Sequence, residues 1–440
     1  MNRLSVIIIA VLSFLSSLSQ RVSYDGITYE IISGSSSPTC AVTYQTSNLY
    51  SGNITVPSTI EAEGIMYEVV EIGDYAFSGC GDLTSVSLPS SVTRIGRNAF
   101  YECKTLQMVS GTKINFVGKG AFSGCSSLSS LGFFVNLEKI EDSAFKDCVK
   151  LISVELGSIK ELGVSVFDGC SGLSEIKLPQ NLKVIPDYTF NGCSSLKTVI
   201  LGSGVERIGD YAFYNCSGLS SIKFPDSLSE IGRAAFYLCK SLNLAHITGQ
   251  SLNISDYAFY GCRSIKDLKF DNVEEIGEEA FADCSSLETI FFEQPVKYIR
   301  ERAFRNADSI IKVSCSSRQP AFLAANSFDE EVYKKAVLVV PTGSRLLYMQ
   351  SYPWSNFVDV EGSDTVEVEA INGDETCFNV FQSGDRLIVK GGPGYLIISN
   401  VDGKVIVATR KRTEDFEISK LKRGLYVVSL GNDSIKFLVR

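Results

Sequence analysis

The chain has 440 residues, a formal charge of −9, 45% hydrophobic residues and 21% charged residues. That usage is ordinary for a folded protein, so it argues against general disorder and against a multi-span membrane protein. The acidic balance argues against nucleic acid as a partner, because phosphate binding needs clustered Lys and Arg.

The chain opens with Arg3, an apolar run from Leu4 to Leu15, and then Ser16, Ser17 and Ser19. This is the layout of a cleavable signal peptide over residues 1–19; the run is much shorter than the roughly 20 apolar residues that a membrane anchor needs. No later stretch is long and apolar enough to span a bilayer. The mature chain is therefore expected to be exported, either secreted or held at a cell surface by other means.

From Ile72 onward one segment recurs, first as IGDYAFSGCGDLTSVSLPSSVTR. Its marker is a Phe, at positions 77, 100, 122, 145, 167, 190, 213, 236, 259, 281 and 304, always 22 or 23 residues apart. Three residues after each of the first ten comes a Cys, from Cys80 to Cys284; the eleventh coil has Ala307 instead. A Leu or Ile follows three residues later, and the pattern L-x-x-V-x-L, as in Leu83, Val86 and Leu88, ends in the alternation of a short half-buried strand. A strand this short is not stable alone. Stacked at about 4.8 Å, eleven of them predict a continuous parallel sheet roughly 50 Å long. Gly73, Gly96 and Gly209 of the I-G pairs are expected at a corner, and Pro89, Pro179 and Pro225 close the strand.

This A-F-x-x-C-x-x-L-x-x-V-x-L-P rhythm resembles the BspA-like leucine-rich repeat. The resemblance implies a β-rich solenoid of about eleven coils over residues 72–318. The flanks also resemble that family's ends: Tyr24-Asp25-Gly26-Ile27 and Ile54-Thr55-Val56-Pro57 before the repeats, and Phe328, Tyr333, Trp354 and Phe357 after them. They define expected caps over residues 20–71 and 319–363, which a solenoid needs to cover its open ends. The family resemblance implies adhesion or binding to host or matrix proteins. The alternative is a structural or glycan-binding envelope component without a host ligand.

Residues 364–440 carry strand-like runs at Arg386–Val389, Tyr395–Ser399, Lys404–Ala408 and Leu425–Leu430, separated by Gly391-Gly392, Asp402-Gly403 and Gly431-Asn432. They predict a small β-sandwich. Gly424-Leu425-Tyr426-Val427-Val428 and the closing Lys436-Phe437-Leu438-Val439-Arg440 resemble the C-terminal sorting domains of type IX secretion; the competing reading is a plain accessory sandwich that stays attached.

Little in the sequence points to catalysis, and the expectation is a protein that is not an enzyme and needs no cofactor or metal. No C-x-x-C pair of the zinc type occurs, and the regular Cys are expected to stack inward as a packing column. Whether Cys40, Cys315 and Cys377 pair is open. The one histidine, His246, leaves little room for imidazole chemistry, and no G-x-S-x-G elbow or phosphate cradle is present. The outward positions of L-x-x-V-x-L are more informative. They place Lys177, Lys223, His246 and Lys269 in one row with apolar Ile200, Leu244 and Phe291 among them. This row is the candidate ligand-binding face, for an anionic or mixed macromolecular partner such as a protein or an extended glycan. The competing reading is that these lysines only keep the face soluble.

Overall fold

The computed structural model describes residues 20–362, apart from 33–36, 46–48, 132–135 and 158, and then residues 378–383, 386–391, 395–400, 404–410, 415–417, 424–430 and 433–439. Residues 1–19, expected to be a signal peptide, Cys377 and most of the C-terminal turns lie outside the described residues.

Each coil has three sides. The L-x-x-V-x-L segments form the first, here the front sheet, with parallel pairing such as Ser85↔Met108, Val86↔Val109 and Ser87↔Ser110. Val86, Val109, Val199 and Ile222 point inward and are buried, as the period of two requires. The second side is a second parallel sheet that the sequence pattern did not predict. The residues before each Gly are strands in their own right, Arg94–Ile95 pairing with Phe116–Val117 and so on to Tyr298–Ile299 and Phe322–Leu323. Gly96 and its equivalents therefore sit at the exit of this back sheet, where a Cβ at Gly96 would stand 2.7 Å from the Asp74 backbone nitrogen.

The third side is a run of turns carrying the marker Phe and the Cys. The Phe rings stack face to face, from Phe77 on Phe100 at 5.0 Å to Phe304 on Phe328 at 4.8 Å. The stack thus extends one ring beyond the eleven repeats, to about twelve coils. Backbone N–H groups of the turn donate to the next coil, as Phe77 does to Ala99 at 2.7 Å. The Cys column is buried and free of disulfides, as are Cys40 and Cys315. It does more than pack: each thiol from Cys103 to Cys284 donates to the carbonyl of the Phe one coil back, at 2.9 to 3.3 Å. That carbonyl would otherwise be buried with one fewer partner.

The sheets are not continuous. The front sheet ends at Ser130–Leu131 and resumes at Glu175–Lys177, and it breaks again between Ser221–Ile222 and His246–Ile247. The back sheet is interrupted between Glu161–Leu162 and Val184–Ile185. Near the first break the Phe rings are also furthest apart, 5.6 Å for both Phe145–Phe167 and Phe167–Phe190. Leu151, Val154 and Leu156 keep the pattern, yet no strand forms there.

At the N-terminal end, Gly52–Thr55 adds a strand to the front sheet, and Thr39–Val42 joins the back sheet through Ile65–Ile72. At the other end, Val337–Val339 and Asp359–Glu361 extend the front sheet, with short helices at Glu330–Lys335 and Arg345–Gln350. Trp354 closes this end: it is buried, packs edge-on against Tyr348, and donates its indole N–H to the Ala321 carbonyl at 2.8 Å. The C-terminal segment forms two antiparallel sheets, one of three strands and one of four.

Candidate functional site

The front sheet presents the sequence candidates, but not as a single row. Lys177 and Ile200 are register partners on adjacent strands, and Lys223 follows one coil later just beyond Ser221–Ile222. His246, Lys269, Phe291 and Ser314 form a second aligned group. The break in the ladder between Ile222 and His246 separates the two.

Leu244 corrects the expectation. It was expected to face outward, but it is only 3% exposed. In this coil the usual inward Val is replaced by Ala245, which is exposed. Alanine is too small to fill the column, so the chain shifts phase and Leu244 turns in. Phe291 is half-buried, whereas Ile200 is 51% exposed, an apolar side chain left in water between two lysines.

The charges divide the same way. Lys269 is ion-paired with Glu293, and His246 Nε2 lies 4.0 Å from the Asp271 carboxylate. Lys177 and Lys223 have no ion-pair partner among the described residues. Their surroundings are mixed rather than basic. A hollow of about 600 Å³ is lined by Ser153, Glu155, Glu175, Lys177, Thr198 and Ile200. It shares Thr198 and Ile200 with a second hollow of about 660 Å³ around Ser221, Lys223 and Asp226. Asp226 also lines a third, of about 540 Å³, with Gln250 and Asp271. The first two adjoin over the front strands through Thr198 and Ile200, and the third lies among the turns beside them.

The back sheet offers a contrast. Its outward charges neutralise one another across coils: Glu71 with Arg94 at 3.5 Å, Lys139 with Glu161 at 2.8 Å, Arg207 with Glu230 at 3.2 Å. Such exposed pairs add little stability, but they offset charge along the repeat strands of that face. Among the described residues no group of three or more His, Cys, Asp and Glu side chains is arranged to hold a metal ion.

Twelve stacked coils with two parallel sheets, a Phe stack and a Cys column are the geometry the repeat encodes. A family model, the BspA type leucine-rich repeat region, matches in overlapping stretches at residues 58–174, 107–220, 160–271 and 206–332, more than half of the chain. The chain belongs to the BspA-type leucine-rich-repeat family. Among solved structures, this BspA-type chain is similar to a leucine-rich repeat protein from Bacteroides ovatus. Identity is 28% and the TM-score 0.50, over 78% of this chain and 99% of that one. A leucine-rich cell surface protein from Faecalibacterium prausnitzii matches at 22% identity and a TM-score of 0.42, covering 68% of this chain and 89% of that one. The pneumococcal vaccine antigen PcpA matches at 17% and 0.40, covering 78% and 99%. No curated protein sequence matches.

Not among the sequence candidates are tyrosines of the turn side, two before and one after the marker Phe. Tyr188, Tyr211, Tyr214, Tyr237, Tyr257 and Tyr260 of this BspA-type array come together on adjacent coils. Their signal was in the sequence as Tyr-Ala-Phe-Tyr at 211–214 and again at 257–260. It is visible only when the repeats are aligned and the column, rather than the consensus, is read.

Proposed function

We propose that the chain is an exported, non-catalytic binding protein of the bacterial surface. Its front sheet holds an extended macromolecular partner, a host or matrix protein, across Lys177, Ile200 and Lys223. The observation that carries this reading is the pair of adjoining hollows on the front sheet that meet at Thr198 and Ile200. They hold two lysines without ion-pair partners among the described residues and an exposed isoleucine, whereas outward charges on the back strands pair across coils. A rigid, repetitive surface suits recognition of an elongated partner, and exposed apolar surface rimmed by polar and charged residues marks an interaction patch. Leu244 is part of the core rather than of this face, and His246, Lys269 and Phe291 form its periphery. The mixed lining, with Glu155, Glu175 and Asp226 beside the lysines, favours a protein carrying both signs of charge over a polyanion. Repeat proteins of this family are typically binding proteins, and among the described residues no helix is long and apolar enough to cross a membrane. We read residues 1–19 as the export signal, 20–71 and 319–363 as caps and 364–440 as the segment that resembles a sorting domain.

The test is surface plasmon resonance of the mature chain over immobilised matrix proteins and glycans. A saturable protein ligand whose affinity falls about tenfold or more in the Lys177→Glu, Lys223→Glu double variant supports the reading. Binding that ignores both substitutions removes the front sheet as the site. Binding only to material from the producer's own envelope supports the structural alternative instead.

A further inference from the structure

The turn side carries an aromatic surface that neither the fold nor the front-sheet reading uses. Tyr188 stacks on Tyr211 at 4.8 Å. Tyr214, Tyr237 and Tyr260 form a second stack at 4.9 and 4.7 Å, with planes within 8° of parallel. Tilted contacts of 5.7 Å between Tyr211 and Tyr214, and 6.3 Å between Tyr257 and Tyr260, join the columns into one patch over four successive coils.

The turn does not require tyrosine. Its backbone forms equally well in other coils with Gly120, Ser143 or Ser165 at the first position and Ser123 or Asn191 at the second. At the first position tyrosine is conformationally disfavoured: Tyr188, Tyr211 and Tyr257 have φ of 56°, 57° and 59°, in the left-handed region that favours glycine, as at Gly120. Bulky side chains kept at such a position and concentrated in neighbouring coils point to a surface role.

Because the rings stack along the coil axis, their faces cover one another and their edges and hydroxyls point away from the core. The hydroxyls of Tyr188, Tyr211, Tyr214 and Tyr237 have no hydrogen-bond partner among the described residues, while that of Tyr260 donates to Asp283. The surroundings carry both signs of charge and amides: Arg233 lies over the Tyr257 ring at 5.5 Å, and Asn191 donates to Asp168 at 2.7 Å. We propose that this tyrosine ladder binds a neutral, β-linked pyranose polysaccharide lying along the coil axis, one sugar residue per coil.

The spacing decides between partners. An extended peptide repeats one face roughly every 6.8 Å, and a polyproline helix advances about 9.3 Å per turn. Neither meets hydroxyls placed once per coil. An extended β-linked pyranose chain advances per residue by nearly the ring-to-ring distance seen here, and its hydroxyls both donate to and accept from phenols. Rings already locked by their neighbours lose little freedom on binding. The carboxylates beside the ladder, Asp187 and Asp210 near Tyr188 and Asp283 and Glu279 near Tyr237, argue against a polyanion.

The experiment is native affinity electrophoresis of the full mature chain in gels containing mixed-linkage β-glucan, glycol chitin or, as the anionic control, alginate. Retardation is expected in one of the neutral gels and not in alginate. The Tyr214→Phe, Tyr237→Phe variant keeps the ring stack and removes two hydroxyls; it should melt at the unchanged temperature and bind about tenfold or more weakly. The Lys177→Glu, Lys223→Glu variant should be retarded like the parent, which separates this site from the front sheet. Free migration in both neutral gels, retardation in alginate alone, or undiminished retardation of the phenylalanine variant would each overturn the proposal.

Discussion

Leu244 and Ile200 are both aliphatic residues on the front side of the solenoid, yet substitution should separate them sharply. Leu244→Ala removes a fully packed side chain and should cost about 2–5 kcal/mol, whereas Ile200→Ala should stay within about 0.5 kcal/mol; urea titration followed by circular dichroism checks both. Equal losses would mean that the coil of Phe236 keeps the regular phase. The thiols make a second prediction at this scale. Burial pushes Cys103 and Cys284 up to about 12. The folded chain therefore keeps protons that the unfolded chain releases from about pH 8.5 upward. The stability these thiols contribute is complete below that pH and is lost as pH rises toward 12, at about 1.4 kcal/mol per pH unit for each thiol. Melting temperature should fall between pH 8.5 and 10, and less steeply in a variant with Cys193, Cys216 and Cys239 replaced by Ala. At this scale the sequence was legible wherever one residue type recurs at a fixed period, as with Phe, Cys and Leu. It was not legible at Leu244, where a small neighbour changes the phase, nor at Lys269, whose partner Glu293 lies one coil away.

Whole elements show the same division. The front strands could be read from alternation over six residues, but a back strand such as Arg94–Ile95 has two residues, too few to carry a periodicity. It is a strand only because its neighbours in the stack supply both hydrogen-bonding edges. The flanking segments read as caps stand out in the sequence because their aromatics break the consensus. The C-terminal cap can be tested directly, since Trp354 is the only tryptophan in the chain and is buried. Trp354→Ala should destabilise by about 3–5 kcal/mol. In the parent, indole emission should be blue-shifted and should move to longer wavelength when this end opens. A red-shifted native spectrum would show that the cap does not seal the stack.

Across the whole molecule, stability in a solenoid is a sum over neighbouring coils, so a weak junction is felt locally. Both sheets are interrupted in the region from Leu131 to Val184, and the Phe rings there are at their widest spacing. Hydrogen exchange should find amides of Leu151–Leu156 among the fastest of the repeat region, with strong protection in Thr289–Phe292; uniform protection across both would remove the junction. Nothing in the repeat pattern announces this break, because Leu151, Val154 and Leu156 match the consensus and the defect lies in how coils meet. The thiol column has a bearing of a different kind. Each Sγ–H reaches back to a carbonyl made 25 or 26 residues earlier, never to one still to come. A chain growing from its N-terminal end thus always has the acceptor in place before the donor arrives. The stack can close one coil at a time as it leaves the ribosome or an export pore, and at any moment only its newest coil is unfinished.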